Sequence, residues 1–380
     1  MNDFGLLTPG STRAPGLDDQ SFLEAMVRVE TGWAVGQESV GLCTPAQVAQ
    51  IREVGLGGQF DLAQIGAECE LGGNPVIPLI AAYRAQLSAE TAEVLHRTLT
   101  SQDIIDTTLM LITARNRSAV LAHLDSCVLA MTQLADQYRH APMAARTLGR
   151  LAEPTTFGLK AAIWCSQVAA ARDLVRAIKP MVSWGGAAGT SRALCELTTE
   201  PDRAVRTWAA ALNLGVPSHP WHVDRTPVLA IASAFGTTCA SLGKVASDVL
   251  ALTRDEVAEL REPHIDGQGA SSSMPHKQNS VLSILIRRSA LSAPQLVAQL
   301  HTCAALSVDE RPDGAWHAEW QPWRLILQHT MMAASFAAQL LSGIEVREDE
   351  MAAHAADLGP LPHHACTDRM IDNVIAEANR

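Results

Sequence analysis

Aromatic side chains are scarce in this chain: Phe, Trp and Tyr make up 4% of its 380 residues, and only two are tyrosine. Sheets favour β-branched and aromatic residues, so an apolar content carried by Ala, Leu and Val points to packed helices. Positive charge is short as well. Lys+Arg number 29 against 40 Asp+Glu, a net charge of −11, which excludes the basic footprint of a nucleic-acid partner. The eight cysteines, at 43, 69, 127, 165, 195, 239, 303 and 366, form no CxxC pair. That excludes a disulfide framework or a zinc site and leaves them as small buried apolar residues. No metal-ligand constellation or cofactor motif stands out. MNDFGLLTPGSTRAPG lacks the basic and apolar regions of a signal peptide. No run of about 18 uncharged, strongly apolar residues is evident, so the expectation is a cytoplasmic protein with no membrane partner. With 47% hydrophobic and 18% charged residues, global disorder is excluded.

What is present is helical texture. Residues 1–17 read as an extended arm, and from Asp18 the residues Phe22, Met26 and Val29 fall at helical spacing. From Ser101 to Ala141 there is neither Gly nor Pro, enough for a helix of roughly 60 Å. Val120, Leu124, Cys127, Met131, Leu134 and Tyr138 form a stripe along it that needs a partner helix. Further helices are expected over Leu159–Lys179, Val228–Glu262, Ser280–Leu306 and Trp323–Ser342, with bends at Gly236, Gly243 and Pro294. No convincing strand alternation appears. The expected class is all-α, an elongated long-helix bundle. Its segments are an N-terminal helical domain (1–102), a central bundle (103–345) with a loop at 266–280, and a short C-terminal segment (346–380).

Four segments interrupt this texture with small polar residues. His96-Arg97-Thr98-Leu99-Thr100-Ser101-Gln102-Asp103 places hydroxyls and free amides at a helix start, either a plain N-cap or an anion pocket. Arg146-Thr147-Leu148-Gly149-Arg150-Leu151 leads to Pro154-Thr155-Thr156-Phe157-Gly158, a surface loop or a site. Gly267 to Asn279 is too rich in Gly and Ser for a helix and ends in Ser271-Ser272-Ser273-Met274-Pro275-His276-Lys277-Gln278-Asn279. The fourth runs from Asp309 through Arg311 to Trp320.

The third segment resembles the signature loop of the fumarase/aspartase superfamily, with Ala270 where Gly is usual. Thr100–Asp103 and Arg146–Gly158 resemble its two other active-site segments, in the same order. Gly72-Gly73-Asn74-Pro75, Gly185–Thr190 and Trp316-His317-Ala318-Glu319-Trp320 resemble its 3-carboxy-cis,cis-muconate cycloisomerase branch. The resemblance implies a homotetramer with a twenty-helix core, active sites shared by three subunits, and a reduced C-terminal domain. It assigns catalysis to Ser271, Lys277 and Asn279. Binding of a small dicarboxylate falls to Asn74, Thr100, Ser101, Arg146, Thr147 and Arg311, with no metal or cofactor; Arg150 joins them as this chain's own departure.

Family members remove a proton beside a carboxylate and expel a group from the neighbouring carbon. Ser271 takes the base role, which requires its alkoxide to be stabilised by loop amides and Lys277. This chain departs from the pattern where histidines are usual, at Leu148 and Leu151, and carries Arg150 for Gln and Thr98 for Gly. Two leucines imply a leaving group that needs no proton, and Arg150 implies an anion nearby. The expected reaction is therefore C–N cleavage of nitrosuccinate to fumarate and nitrite. The alternatives are the cycloisomerase reaction and a non-catalytic structural homologue.

Overall fold

The computed structural model describes residues 5–274, 276–361 and 363–380. Residues 1–4 of the expected arm and Pro275 of the signature loop lie outside the described residues. The N-terminal region is a set of short helices: α1 (Asp19–Ser39), α2 (Pro45–Gly57), α3 (Leu62–Gly72), α4 (Val76–Arg84) and α5 (Ala89–Ala92). Their starts are written in the sequence. The Asp18 side chain accepts from the Ser21 amide at 2.8 Å, and Thr44 with Gln47 closes a capping box ahead of Pro45.

The long helix α6 spans Ser101–Gln137. A hairpin of β1 (Pro142–Thr147) and β2 (Arg150–Thr156) follows, and leads into α7 (Phe157–Ala177). Next come α8 (Arg192–Leu197), α9 (Pro201–Leu212) and α10 (Thr226–Leu252). The two-residue strand β3 (Leu260–Arg261) precedes α11 (Val281–Ala305) and α12 (Gly314–Ser342). Strand β4 (Glu345–Val346) pairs with β3, and α13 (Glu348–Ala355) and α14 (His364–Ala378) end the chain.

The bundle consists of α6, α7, α10, α11 and α12. The apolar stripe of α6 is buried, with Val120, Leu124, Cys127 and Met131 at 0% exposure. Its partner is α7 of the same chain, which returns antiparallel: Gly158 sits against Tyr138, and the Cys165 Sγ lies 3.9 Å from the Val128 carbonyl. The stripe is thus satisfied within one chain and gives no argument for association. Helix α12 runs parallel to α6, as Trp316 bonds Asp106 and Trp323 bonds Thr113 at 3.1 and 3.0 Å. Gly236 and Gly243 of α10 let α11 approach. A Cβ on Gly243 would lie 2.2 Å from the Ala290 Cβ, and one on Gly236 would lie 2.7 Å from Val297.

Three expectations are corrected. The second site segment is a β-hairpin, although no strand was expected. Its pairing is irregular between Ala144 and Arg146, and Pro154 interrupts the ladder, so strand alternation is blurred. Helix α12 begins nine residues earlier than expected, and Pro322 lies inside it. Finally, α6 and α10 are long and apolar enough, by length and composition, to cross a membrane, contrary to the reading of no such run. Both are members of the bundle.

Candidate active site

The first group of site residues gathers at the N-terminal end of α6. Thr100 is the N-cap, and its amide donates to Asp103 Oδ2 at 3.0 Å in a capping box. The approach to it is strained: His96 and the β-branched Thr98 have φ of 61° and 70°, a region such residues avoid. Neighbours hold this shape. The Trp33 indole donates to the Arg97 carbonyl at 2.8 Å, and the His96 Nδ1 lies 2.6 Å from the buried Glu30. Burial pulls the His96 pKa down, but Glu30 overrides it and the net shift is upward.

Arg311 reaches this end from the connection before α12. Its Nη2 donates to the Thr100 Oγ1 at 2.7 Å and to the Gly186 and Ala187 carbonyls at 3.3 and 3.0 Å. Asn74 is buried, accepting from the Val76 amide at 3.1 Å and donating to the Gly72 carbonyl at 3.1 Å. A Cβ on Gly73 would lie 3.6 Å from the His317 Nε2, so His317 stands beside this segment. Thr100 and Arg311 are therefore in contact beside Ser101, and the Asn74 segment lies against His317 near the start of α12.

Beneath them is a buried ionic network that sequence reading did not find. Arg225, at 0% side-chain exposure, donates to both oxygens of Asp106 at 2.8 and 3.1 Å and to both of Glu319 at 2.5 and 3.1 Å. Burial lowers the Arg225 pKa, but the two carboxylates raise it further. Burial likewise raises that of Glu319 above the usual carboxylate value, against the pull of Arg225. The sequence signals were Glu319 in the Trp316–Trp320 run and the charges of Asp106 and Arg225 at helix starts.

The second group lies at the other end of the bundle. In the hairpin, Leu148 and Gly149 have φ of 51° and 78°, a two-residue turn of type I′ between the paired Thr147 and Arg150. Thr147 and Arg150 are exposed, and Arg150 has no partner among the described residues. Leu148 is wholly exposed and Leu151 is 49% exposed. Arg146 is not a free cation. Its two terminal nitrogens lie 3.0 and 2.7 Å from the buried Glu259, which also holds His354 at 2.8 Å. It braces the hairpin.

The loop before α11 is at this same end. Asn279 ties it off, donating from its amide and its side chain to the Gly269 carbonyl at 2.9 and 3.0 Å. Gly269 cannot be replaced, because its φ is 78° and a Cβ would lie 2.6 Å from the Asn279 oxygen. The Ser271 Oγ accepts from the amides of Ser273 and Met274 at 3.4 and 3.1 Å. Two N–H groups aimed at one hydroxyl are the environment that would favour its alkoxide. Lys277 is exposed beside a cavity of about 1020 Å³ lined by Glu262, Gln268, Met274, His276 and Asn279 among others.

The candidate residues of one chain thus fall into two separate groups. Thr100 and Ser101 begin a 37-residue helix and the hairpin follows its end, which separates the groups by roughly 55 Å. Ser271 lies beyond the end of the 27-residue α10, whose N-cap is Arg225, a separation of roughly 40 Å. One chain cannot close both groups around a small substrate.

A five-helix bundle with a signature loop, a Thr-Ser helix start and an Arg-Thr hairpin defines a lyase of the fumarase/aspartase superfamily. Comparison with known proteins agrees. The family model described as Lyase matches residues 44–293. A nitrosuccinate lyase of Streptomyces davaonensis is 42% identical over 365 residues, covering 93% of this chain and 77% of the relative. A 3-carboxy-cis,cis-muconate cycloisomerase of Bradyrhizobium diazoefficiens is 34% identical over 347 residues, with 90% and 76% covered. The solved 3-carboxy-cis,cis-muconate lactonizing enzyme of Pseudomonas putida superposes with a TM-score of 0.84 at 25% identity, covering 97% of this chain and 85% of that one. The chain belongs to this lyase family and is an enzyme of the fumarase/aspartase superfamily.

Proposed function

We propose that this enzyme cleaves nitrosuccinate to fumarate and nitrite, in sites built where the two ends of different copies meet. The carrying observation is the hairpin tip. It presents the guanidinium of Arg150, unpaired among the described residues, between Leu148 and Leu151, with no ionisable acid in the turn. A tip of that kind suits a leaving group that departs as an anion and accepts from a guanidinium. The name and the 42% identity of the Streptomyces relative support the same reaction.

In this reading the Ser271 alkoxide, held by the Ser273 and Met274 amides, takes a proton from the carbon next to one carboxylate. The electron pair forms the new double bond while the neighbouring C–N bond breaks, and nitrite leaves with that bonding pair. Lys277 offsets the charge that builds on the carboxylate, and Thr100, Ser101 and Arg311 bind the substrate's anionic ends. Shared sites are supported by apolar residues left uncovered on one chain. Ile284 and Leu291, seven apart on α11, are 48% and 68% exposed.

The test is a paired assay. Nitrosuccinate should yield fumarate and nitrite in equal amounts, and 3-carboxy-cis,cis-muconate should be left intact. Consumption of the muconate without nitrite release from nitrosuccinate would establish the cycloisomerase reaction instead.

A further inference from the structure

One buried histidine has no part in the steps above. His222 is 1% exposed, its Nε2 lies 2.7 Å from the Asp103 Oδ1, and its Nδ1 is buried with no partner among the described residues. Asp103, at 0% exposure, also accepts from the amides of Thr100, Gly185 and Gly186 at 3.0, 2.7 and 3.0 Å. The tautomer follows from these partners. Asp103 is the acceptor, so Nε2 carries the hydrogen.

The contacts continue from there to the surface. Asp103 fixes the Gly185-Gly186 turn, and the carbonyls of Gly186 and Ala187 hold the Arg311 guanidinium, which in turn bonds the Thr100 hydroxyl. The imidazole also sets the turn by shape, since a Cβ on Gly185 would lie 2.5 Å from the ring. The Gln102 side chain donates to the His222 carbonyl at 2.9 Å and anchors its segment to the first turn of α6.

We propose that His222 is a positioning residue for the substrate carboxylate, acting through Asp103 to hold Arg311 and the Thr100 hydroxyl in their binding geometry. This rests on the reading that this end of the bundle binds an anionic end of a succinyl-type substrate. It adds a determinant that never touches substrate.

The test uses the full chain and two readouts, the KM for nitrosuccinate and the Kd for succinate by calorimetry. His222→Leu fills the space without a donor, and should weaken both by about tenfold or more, the scale of losing a buried partner behind a binding group. His222→Gln returns an N–H near the Nε2 position and should restore both to within about threefold. A merely structural role would lower the melting temperature and leave KM and Kd unchanged in folded protein. Wild-type succinate affinity in folded His222→Leu would overturn the proposal. If that variant does not fold, His222→Asn, one carbon shorter than Gln, takes its place. Weaker succinate binding by Asn than by Gln supports the proposal, and equal binding overturns it. A wild-type enzyme that binds succinate but releases no nitrite would overturn the substrate reading alone, because succinate binding tests His222 without turnover.

Discussion

Replacing Arg225 with Met should destabilise the enzyme strongly. The guanidinium is wholly buried and donates four hydrogen bonds to two carboxylates that are themselves at 0% and 1% side-chain exposure. Met fills much of the volume but leaves Asp106 and Glu319 buried without a cation. Breaking a buried pair in this way costs about 3–5 kcal/mol, mostly the penalty of the stranded charge. For a chain of 380 residues, the unfolding entropy near the midpoint is about 0.8 kcal/mol/K, so the melting temperature should fall by about 4–6 °C. Calorimetry at fixed protein concentration reads it. The sharper test is Arg225→Met combined with Asp106→Asn and Glu319→Gln. With both charges gone, most of the loss should return. A single variant that melts within 1 °C of wild type, or a triple variant no better than the single, would refute the stranded-charge account.

Three further outcomes follow from the site. The His96 pKa is raised above its ordinary 6.5 by Glu30 despite burial. The stability from that pair is therefore fully present below pH 6.5 and lost as pH rises through the higher folded value, a decline that Glu30→Gln should abolish in pH-dependent melting. Ser271→Ala should remove nearly all turnover with fold and oligomer intact, and retention of more than about a tenth of kcat would end its role as base. Arg150→Gln should lose about 2–4 kcal/mol of transition-state stabilisation on nitrosuccinate, read as kcat/KM; unchanged kinetics would place Arg150 in solvent.

The long helices were legible because they rest on local rules. The absence of Gly and Pro from 101 to 141 and the stripe from Val120 to Tyr138 give α6, and Thr100 with Asp103 marks its start. The hairpin was not legible. Its turn is Leu148-Gly149, not the Asn-Gly that type I′ favours, and its ladder is irregular at Ala144–Arg146. The loop at Ser271 was visible from composition and resemblance, whereas the clasp between Gly269 and Asn279 is tertiary. Arg225, Glu319 and His222 were invisible as a network because their partners Asp106 and Asp103 lie more than ninety residues away in the chain. Arg146 read as a binding cation, and only the fold shows Glu259 holding it.

The central claim is that a working site joins the Ser271 end of one copy to the Ser101 end of another. Subunit complementation tests it most directly. Ser271→Ala and Ser101→Ala are each prepared as inactive protein, then denatured together, refolded as a mixture and assayed for nitrite release. If the two residues come from different copies, random assembly leaves both intact in about a quarter of the sites, and activity should return toward that fraction of wild type. Activity no greater than the sum of the separate variants, in a mixture shown to contain mixed oligomers, would contradict the account.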